Sequence, residues 1–313
     1  MSATTTNQFF YTVNDKVRNT LLQEGRMPPD GPELIQDTML QLGMTLEEAA
    51  VHLGFVTEEE LVSILESSES ESTESEQDGI FEGAIQKINA VPGLPVKYMG
   101  MVKAGPNLLM VHDPQNPFCE RVRAMRTELM LRNGPAHAHR GHSIALVSPC
   151  AGEGRSQLSA ELAVAFAQLG LRTLLVDGDL RRSRIHSLFD GENNEYGLGQ
   201  SLTIRGVPHL LGVHALPQLS VVTAGPAVHN PLELLSNGQF ERQLADWRKK
   251  FEMVIVDTPP IDDFADGLAI ASSAEQVVVV SRAGATPYKH MKEMLRRLDA
   301  TQARIVGAVI SNF

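Results

Sequence analysis

The sequence predicts an α/β protein in which a doubly wound, mostly parallel sheet is preceded by a small all-α domain. Short apolar runs alternate with helical patterns over residues 115–313, which is typical of parallel strands covered by helices on both faces. An acidic, serine-rich stretch at 66–79 separates them from an N-terminal region rich in helix-capping signals. We therefore predict a helical domain at 1–65, a disordered acidic linker and connecting segment at 66–114, and the sheet domain at 115–313.

The apolar runs of the sheet domain define its predicted strands. They lie at 143–148, 173–176, 219–222, 253–256, 276–280 and 305–310, with helical patterns at 157–169, 232–250, 266–272 and 288–299. In sheets of this kind, ligands bind at the carboxyl ends of the strands. The motifs that directly follow the strands are therefore the candidate functional site.

The N-terminal region carries three pairs of residues with the capping-box spacing, in which each side chain satisfies a free N–H at a helix start. The pairs are Asp30 with Glu33, Thr45 with Glu48, and Thr57 with Glu60. The segment that begins at Met44 resembles the small helical N-terminal domains of bacterial secretion ATPases. We expect a partner-docking or regulatory domain without catalytic chemistry.

Composition excludes several classes of function. The 313 residues carry a formal charge of −11, which argues against a nucleic-acid-binding surface. Two cysteines, Cys119 and Cys150, provide no disulfide framework and fit a reducing compartment. There is no signal-peptide pattern and no run of the ~20 apolar residues that a membrane span needs. We expect a cytoplasmic protein that reaches the inner face of the membrane only through a partner.

A glycine-rich loop follows the first predicted strand. It reads Ser148-Pro-Cys-Ala-Gly-Glu-Gly-Arg-Ser156 and opens a helix, so several backbone N–H groups point to one spot and can cradle a phosphate. The loop departs from the pattern G-x-x-x-x-G-K-[ST] because Pro149 replaces the first glycine and Arg155 the lysine. A plain strand–turn–helix connection is the alternative. The candidate phosphate-binding residues are Gly152, Glu153, Gly154, Arg155, Ser156 and Gln157.

Carboxylates close two further strands. Asp177 and Asp179 follow one, and Asp257 follows another. Charged groups at the end of a buried strand need a metal ion or a basic partner. Each motif alone also fits a simple turn, neutralised in the first case by Arg181 or Arg182. Three such strand ends in one sheet together predict binding of a nucleotide with Mg²⁺.

These motifs resemble the Walker A, Walker A′ and Walker B segments of the bacterial tyrosine kinases of capsule and exopolysaccharide synthesis. Glu120-Arg-Val-Arg-Ala-Met-Arg126 matches their oligomerisation motif, and 230–235 and 307–312 are similar to further family segments. The arginine-bearing loop and the N-terminal domain are most similar to exopolysaccharide-associated autokinases without a fused membrane segment. The resemblance implies a P-loop NTPase fold, ATP and Mg²⁺ as cofactors, and phosphoryl transfer to tyrosine.

The resemblance also implies individual roles. Arg155 and the loop N–H groups hold the β- and γ-phosphates, and Asp177 acts as the base or orienting group for the tyrosine hydroxyl. The implied magnesium ligands are Ser156, Asp179 and Asp257. The implied nucleotide contacts further include Arg181 at the phosphates or metal shell and Asn312 at the adenine. Self-association is expected through Glu120, Arg123 and Arg126, and the expected partner is a membrane-embedded polysaccharide chain-length or export protein.

Two alternatives stay open. The first is an ATPase switch of the MinD/ParA type, although those proteins carry a signature lysine where this chain has Cys150. The second is a degenerate nucleotide-binding scaffold of the export machinery. The sequence ends at Phe313, and its four tyrosines (Tyr11, Tyr98, Tyr196 and Tyr288) are scattered. We therefore expect no autophosphorylation of a C-terminal tyrosine cluster.

Overall fold

The computed structural model describes residues 27–28, 31, 34–35, 38, 46–57, 60, 74–93, 95–133, 141–190, 196–203, 206–301 and 303–311. The predicted sheet domain falls largely within these ranges. Most of the predicted helical domain and residues 66–73 lie outside them.

The described strands form one eight-stranded sheet in the order β1-β4-β5-β3-β6-β2-β7-β8. They are β1 (Lys97–Val102), β2 (His142–Val147), β3 (Thr173–Asp177), β4 (His209–Val213), β5 (Leu216–Val222), β6 (Met253–Asp257), β7 (Gln276–Arg282) and β8 (Arg304–Ser311). All pairings are parallel except that of β4 with β5. The six predicted strands and the mostly parallel sheet are confirmed.

Helices separate most of these strands. They are α1 (Leu46–His52), α2 (Glu74–Ala90), α3 (Leu109–His112), α4 (Pro117–Asn133), α5 (Arg155–Gln168), α6 (Ile185–Leu188), α7 (Leu198–Ser201), α8 (Pro231–Ser236), α9 (Gln239–Lys250), α10 (Asp266–Ser273) and α11 (Tyr288–Asp299). The predicted helix at 232–250 is divided into α8 and α9. Gly238, with φ of 79°, supplies the left-handed turn between them.

The core lies on both faces of the sheet, because successive strand side chains point to opposite sides. In β2, Ala145 and Val147 pack into one layer, and Ile144 and Leu146 pack into the other. The first layer contains α2 and α7–α11, and the second contains α3–α6. The doubly wound fold class is confirmed, and it brings the ends of β2, β3 and β6 side by side.

The predicted linker and connecting segment at 66–114 is wrong over its described part. α2 begins inside the acidic stretch, where acidic residues favour a helix start, and β1 pairs with β4 at the edge of the sheet. Phe81, Ile85 and Ile88 of α2 belong to the core. The sequence pattern did not reveal β1 because it is short, contains Gly100 and is only partly buried.

The described part of the N-terminal region has a small core of its own, formed by Met27, Ile35, Ala49, Ala50 and Val56. The capping box at Thr57 is confirmed, since Thr57 N donates to Glu60 Oε2 at 3.0 Å and Glu60 N donates to Thr57 Oγ1 at 3.3 Å. The other two predicted boxes fall outside the described residues. Within the described ranges, no helix has the length and apolar character that a bilayer crossing requires.

We predict that Phe81→Ala lowers the free energy of unfolding of the sheet domain by about 3–5 kcal/mol. The buried Phe81 ring lies 5.1 Å from the Tyr98 ring of β1 and against Gly212 of β4. Denaturant unfolding measures the change, and Tyr288→Ala, at an 80% exposed aromatic, is the control. Equal effects of the two substitutions would show that α2 and β1 are not part of the cooperative unit.

Candidate functional site

The glycine-rich loop connects β2 to α5. Gly154 is the N-cap of α5 and has a φ of 85°, a left-handed conformation that favours glycine. No side chain caps this helix start, so its first backbone N–H groups remain available to a ligand. The loop therefore has the geometry of a phosphate cradle.

Arg155 lies buried inside this cradle. Its Nε donates to the Thr258 carbonyl at 2.9 Å, and its guanidinium also donates to the Cys150 carbonyl at 2.9 Å and to Ser148 Oγ. The side chain therefore joins the end of β2 to the end of β6. Contact with a phosphate requires the guanidinium to exchange some of these acceptors for phosphate oxygens.

Two of the predicted loop ligands have other contacts. The Glu153 carboxylate is buried and accepts hydrogen bonds from Thr286 Oγ1 and, at 3.3 Å, from Cys150 N. Gln157 donates its side-chain amide to the Asn107 carbonyl at 2.7 Å and to Glu161 at 2.9 Å. Both side chains hold the loop in place, and the predicted place of Glu153 and Gln157 in the phosphate-binding loop stays a prediction. Their backbone N–H groups remain candidates.

Asp177 and Asp257 are the central pair of the site. They are register partners at the ends of β3 and β6, and both are fully buried. Gly178 allows the two strand ends to meet, because a Cβ there would lie 2.5 Å from the Asp257 carbonyl oxygen. The carboxylate of Asp177 accepts hydrogen bonds from Asp179 N (3.1 Å), Ser183 Oγ (2.7 Å) and Ile185 N (3.1 Å).

Both carboxyl groups are hard to ionise. Burial and the charge of Asp257 raise the pKa of Asp177 to about 7. Burial also raises the pKa of Asp257 to about 6, although Arg155 and the Ser156 hydroxyl act in the opposite direction. Both shifts favour the protonated form of the pair compared with exposed carboxyl groups.

The donor set around Asp257 fits a magnesium ion. Ser159 Oγ lies 3.4 Å from Asp257 Oδ1, whereas Oδ2 is buried and has no hydrogen-bond partner among the described residues. An unpartnered buried carboxylate oxygen beside a serine hydroxyl is the oxygen environment that Mg²⁺ prefers. The Ser156 hydroxyl also acts on Asp257 through a hydrogen bond, so the predicted metal ligands Ser156 and Asp257 lie together.

Asp179 and Arg181 have structural partners. Asp179 Oδ1 accepts hydrogen bonds from the backbone N–H groups of Arg181 (3.1 Å) and Arg182 (2.9 Å), so one of its oxygens shapes the turn. Arg181 forms a two-point ion pair with buried Asp266, at 2.6 and 3.3 Å, and its guanidinium lies over the Phe264 ring. The predicted role of Arg181 at the phosphates or metal shell stays a prediction, and in this structure its guanidinium is held by Asp266.

The predicted oligomerisation motif lies on α4. Glu120 is exposed and pairs with Arg123. Arg126 is fully buried and donates to the Ala165 carbonyl of α5 at 2.9 Å. Arg126 therefore packs α4 against α5 within the chain, and its predicted place in a subunit contact is wrong.

A cleft of about 670 Å³ opens beside the loop. Gly154 lies on one side of it, and most of the other lining residues are apolar, among them Phe118, Val280 and Ile310. Ser311, another lining residue, is followed by Asn312, which lies outside the described residues. An apolar cleft next to a phosphate cradle has the character of a nucleotide-base pocket.

Several contributors to the site were missed from the sequence. Ser183 lies six residues after Asp177 in the sequence, and this short separation was a weak indication that it could contact the carboxylate. Thr258 acts through its carbonyl oxygen, which no residue pattern reveals. Asp266 meets Arg181 from 85 residues away, and only the fold brings them together.

No family model matches the chain. Over 206 residues it is 31% identical to the putative tyrosine-protein kinase CapB of Staphylococcus aureus, in a match that covers 65% of this chain and 88% of that relative. The chain belongs to the bacterial tyrosine kinase family. It is also 30% identical over 205 residues to the tyrosine-protein kinase YwqD of Bacillus subtilis, which covers 66% of this chain and 85% of YwqD.

Solved structures agree with this bacterial tyrosine kinase assignment. The chimeric protein CapA2B2 matches with a TM-score of 0.60 and 29% identity, over 74% of this chain and 99% of the chimera. The kinase domain of Escherichia coli ETK matches with a TM-score of 0.59 and 28% identity, over 66% and 79% of the two chains. Among sequence relatives, the chain is also 30% identical to putative EpsB of Ralstonia solanacearum. That match spans only 28% of the longer EpsB protein. The predicted family is confirmed.

We predict that the metal-free kinase loses stability as pH rises from about 4 to 7. The folded pKa values of Asp177 and Asp257 lie above the ordinary value, so the native state binds more protons than the unfolded state in this range, and a rise in pH favours unfolding. Asp257→Asn should reduce the decrease in the free energy of unfolding over this pH range by about 1.4 kcal/mol or more. This corresponds to roughly 3 °C in Tm.

Thermal unfolding in chelator at several pH values measures this effect. Asp299→Asn, at an exposed carboxylate, is the control and should follow the wild-type curve. Parallel curves for wild type and Asp257→Asn would mean that the buried pair does not titrate in this range.

Proposed function

We propose that this bacterial tyrosine kinase transfers the γ-phosphoryl group of Mg²⁺-ATP to a protein tyrosine and so regulates exopolysaccharide or capsule synthesis and export. The observation that carries the proposal is the buried pair Asp177 and Asp257, set beside an uncapped helix start, with the Ser156 hydroxyl hydrogen-bonded to Asp257. Family membership supports the same reaction, since the matched relatives include named tyrosine-protein kinases.

In this proposal the chain acts mainly by positioning and by charge stabilisation. The first N–H groups of α5 and the Arg155 guanidinium bind the β- and γ-phosphates. Ser156 and Asp257 hold the magnesium ion, with the second oxygen of Asp179 as a further ligand. An ion held there would neutralise charge on the phosphates.

Asp177 receives the proton in the proposed reaction. The tyrosine hydroxyl oxygen forms a bond to the γ-phosphorus, the bond to the bridging oxygen of ADP breaks, and the hydroxyl proton passes to Asp177. Burial raises the pKa of Asp177 above the ordinary value, which favours acceptance of a proton. Its three protein donors hold it in one orientation.

The apolar cleft beside Gly154 is the proposed place of the adenine base. Phe118 and Ile310 provide flat and branched apolar surfaces for a purine ring. Asn312 follows the lining residue Ser311 in sequence and remains the proposed polar contact to the base. The cleft therefore complements the phosphate loop.

We further propose that the kinase works at the inner face of the membrane through a membrane-embedded chain-length or export protein.

We also propose that copies of the chain self-associate through Glu120 and Arg123 of α4. The exposed Glu120 can exchange its Arg123 partner within the chain for one on a neighbouring copy. Glu120→Ala should then lower the mass seen by light scattering, whereas Glu293→Ala, at an exposed pair on α11, should not. A monomer in every form would remove this proposal.

Incubation of the purified chain with labelled ATP, Mg²⁺ and a tyrosine-containing polymer tests the proposed reaction. We expect labelled phosphotyrosine that depends on Mg²⁺. Release of free phosphate alone would favour an ATPase switch, and nucleotide binding without turnover would favour a scaffold. No affinity for ATP or ADP by calorimetry would overturn the whole assignment.

Variants of Arg155 in the same assay separate charge from shape. Arg155→Lys keeps a cation at the helix start and frees the Thr258 and Cys150 carbonyls, so phosphoryl transfer should be preserved or raised. Arg155→Met removes the charge and should lower transfer by roughly a hundredfold. A large loss in Arg155→Lys with intact nucleotide affinity would instead make the guanidinium a specific catalytic group.

A further inference from the structure

We propose that Cys150, Asp262 and His290 form a second metal site, suited to a thiophilic divalent ion such as Zn²⁺, at the mouth of the phosphate loop. The thiol sulfur, one carboxylate oxygen and one imidazole nitrogen all lie within 4.8 Å of one another. Cys150 Sγ is 3.9 Å from Asp262 Oδ2, which also contacts His290 Nδ1. These residues are distinct from the magnesium ligands proposed above.

The spacing of the three donor atoms is close to what zinc needs. Ligand bonds of about 2.0–2.3 Å in a tetrahedral arrangement place the donor atoms roughly 3.3–3.7 Å apart. Small side-chain rotations therefore bring the three atoms onto one ion. The side chain of His290 is 47% exposed and that of Asp262 is 21% exposed, so an ion can enter from solvent and keep a water as fourth ligand.

The three ligands come from segments that are already tied together. Backbone hydrogen bonds link Ile261 N to the Ser148 carbonyl (3.0 Å) and Asp262 N to the Pro149 carbonyl (3.1 Å). Arg297 of α11 donates to the Ile261 carbonyl at 2.8 Å. Because the scaffold holds the donors before a metal arrives, binding has little backbone ordering to oppose it.

The donor chemistry separates this site from the magnesium site. Thiolate, imidazole and carboxylate together favour Zn²⁺ and similar ions, whereas Mg²⁺ prefers oxygen ligands alone. One thiolate and one carboxylate also balance the charge of a divalent ion. A bound ion would fasten the loop residue Cys150 to Asp262 and to α11, so the site couples metal binding to the position of the phosphate loop.

The competing explanation is a surface ion pair between Asp262 and His290 next to a packed thiol. Burial and the nearby acids Glu153 and Asp262 raise the pKa of Cys150, so without a metal it remains a thiol and is a poor nucleophile. A plain ion pair would respond to neither cobalt nor zinc. Metal titration therefore distinguishes the two explanations.

The test uses the full chain, stripped of metal and kept reduced, and titrated with Co²⁺ and then Zn²⁺. We expect about one Co²⁺ per chain, a thiolate-to-cobalt charge-transfer band, loss of the band when Zn²⁺ displaces cobalt, and a rise in Tm with Zn²⁺. Cys150→Ala should abolish the band, and His290→Ala should weaken Zn²⁺ binding at least tenfold, about the effect of losing even an outer partner of a metal ligand.

His229→Ala, at another exposed histidine, is the matched control and should leave the titration unchanged. Cys119 is an internal control, since it is buried on α4 and stays in every variant. Absence of the band in the wild type, or a band that survives Cys150→Ala, would overturn the proposal. Circular dichroism of each variant confirms that a lost signal reflects the site and not the fold.

Discussion

The site depends on the burial of two carboxylates side by side at the ends of adjacent parallel strands. Asp177 and Asp257 are register partners with no solvent exposure, a placement that disfavours two negative charges. Three protein donors stabilise Asp177, and the nearby Arg155 charge favours ionised Asp257. The remaining unpartnered oxygen of Asp257 leaves a place for a cation. The electrostatic cost of burying two carboxylates there would be relieved by a cation, which supports the proposed binding of a metal-bound nucleotide.

Arg155 shows how a departure from the usual loop pattern is accommodated. A lysine at the helix start would offer a compact charge, whereas the arginine reaches across to acceptors on two strand ends. Its planar fork links the loop to the segment after β6. Phosphate oxygens would compete with protein carbonyls for the same donors, so ligand binding and loop geometry are coupled through one side chain.

The architecture around the site explains why its parts keep their positions. The sheet is covered on both faces, and Arg126 and Glu161 fasten α4 and α3 to α5, the helix that starts at the phosphate loop. Glu153 anchors the loop from the other side through Thr286. Glu153, which lies in the predicted phosphate-binding loop, and Arg126, predicted as a subunit contact, thus stabilise the packing around the loop. In the motif Glu120–Arg126 of α4, Glu120 pairs with Arg123, and Arg126 donates to α5, so these contacts lie within the chain.

The sequence by itself determined the α/β class, the six parallel strands and the strand-end motifs, because buried strands and glycine-rich turns leave local patterns. Its motifs also led to the correct family. Only the tertiary structure decided which charged groups are partners. Arg181 meets Asp266, Arg126 becomes buried, and Asp262 meets His290, since each pair of contacts joins segments far apart in the chain. Likewise, β1 and α2 join the domain because β1 pairs with β4 at the edge of the sheet. This pairing is long-range, so no local sequence pattern predicts it.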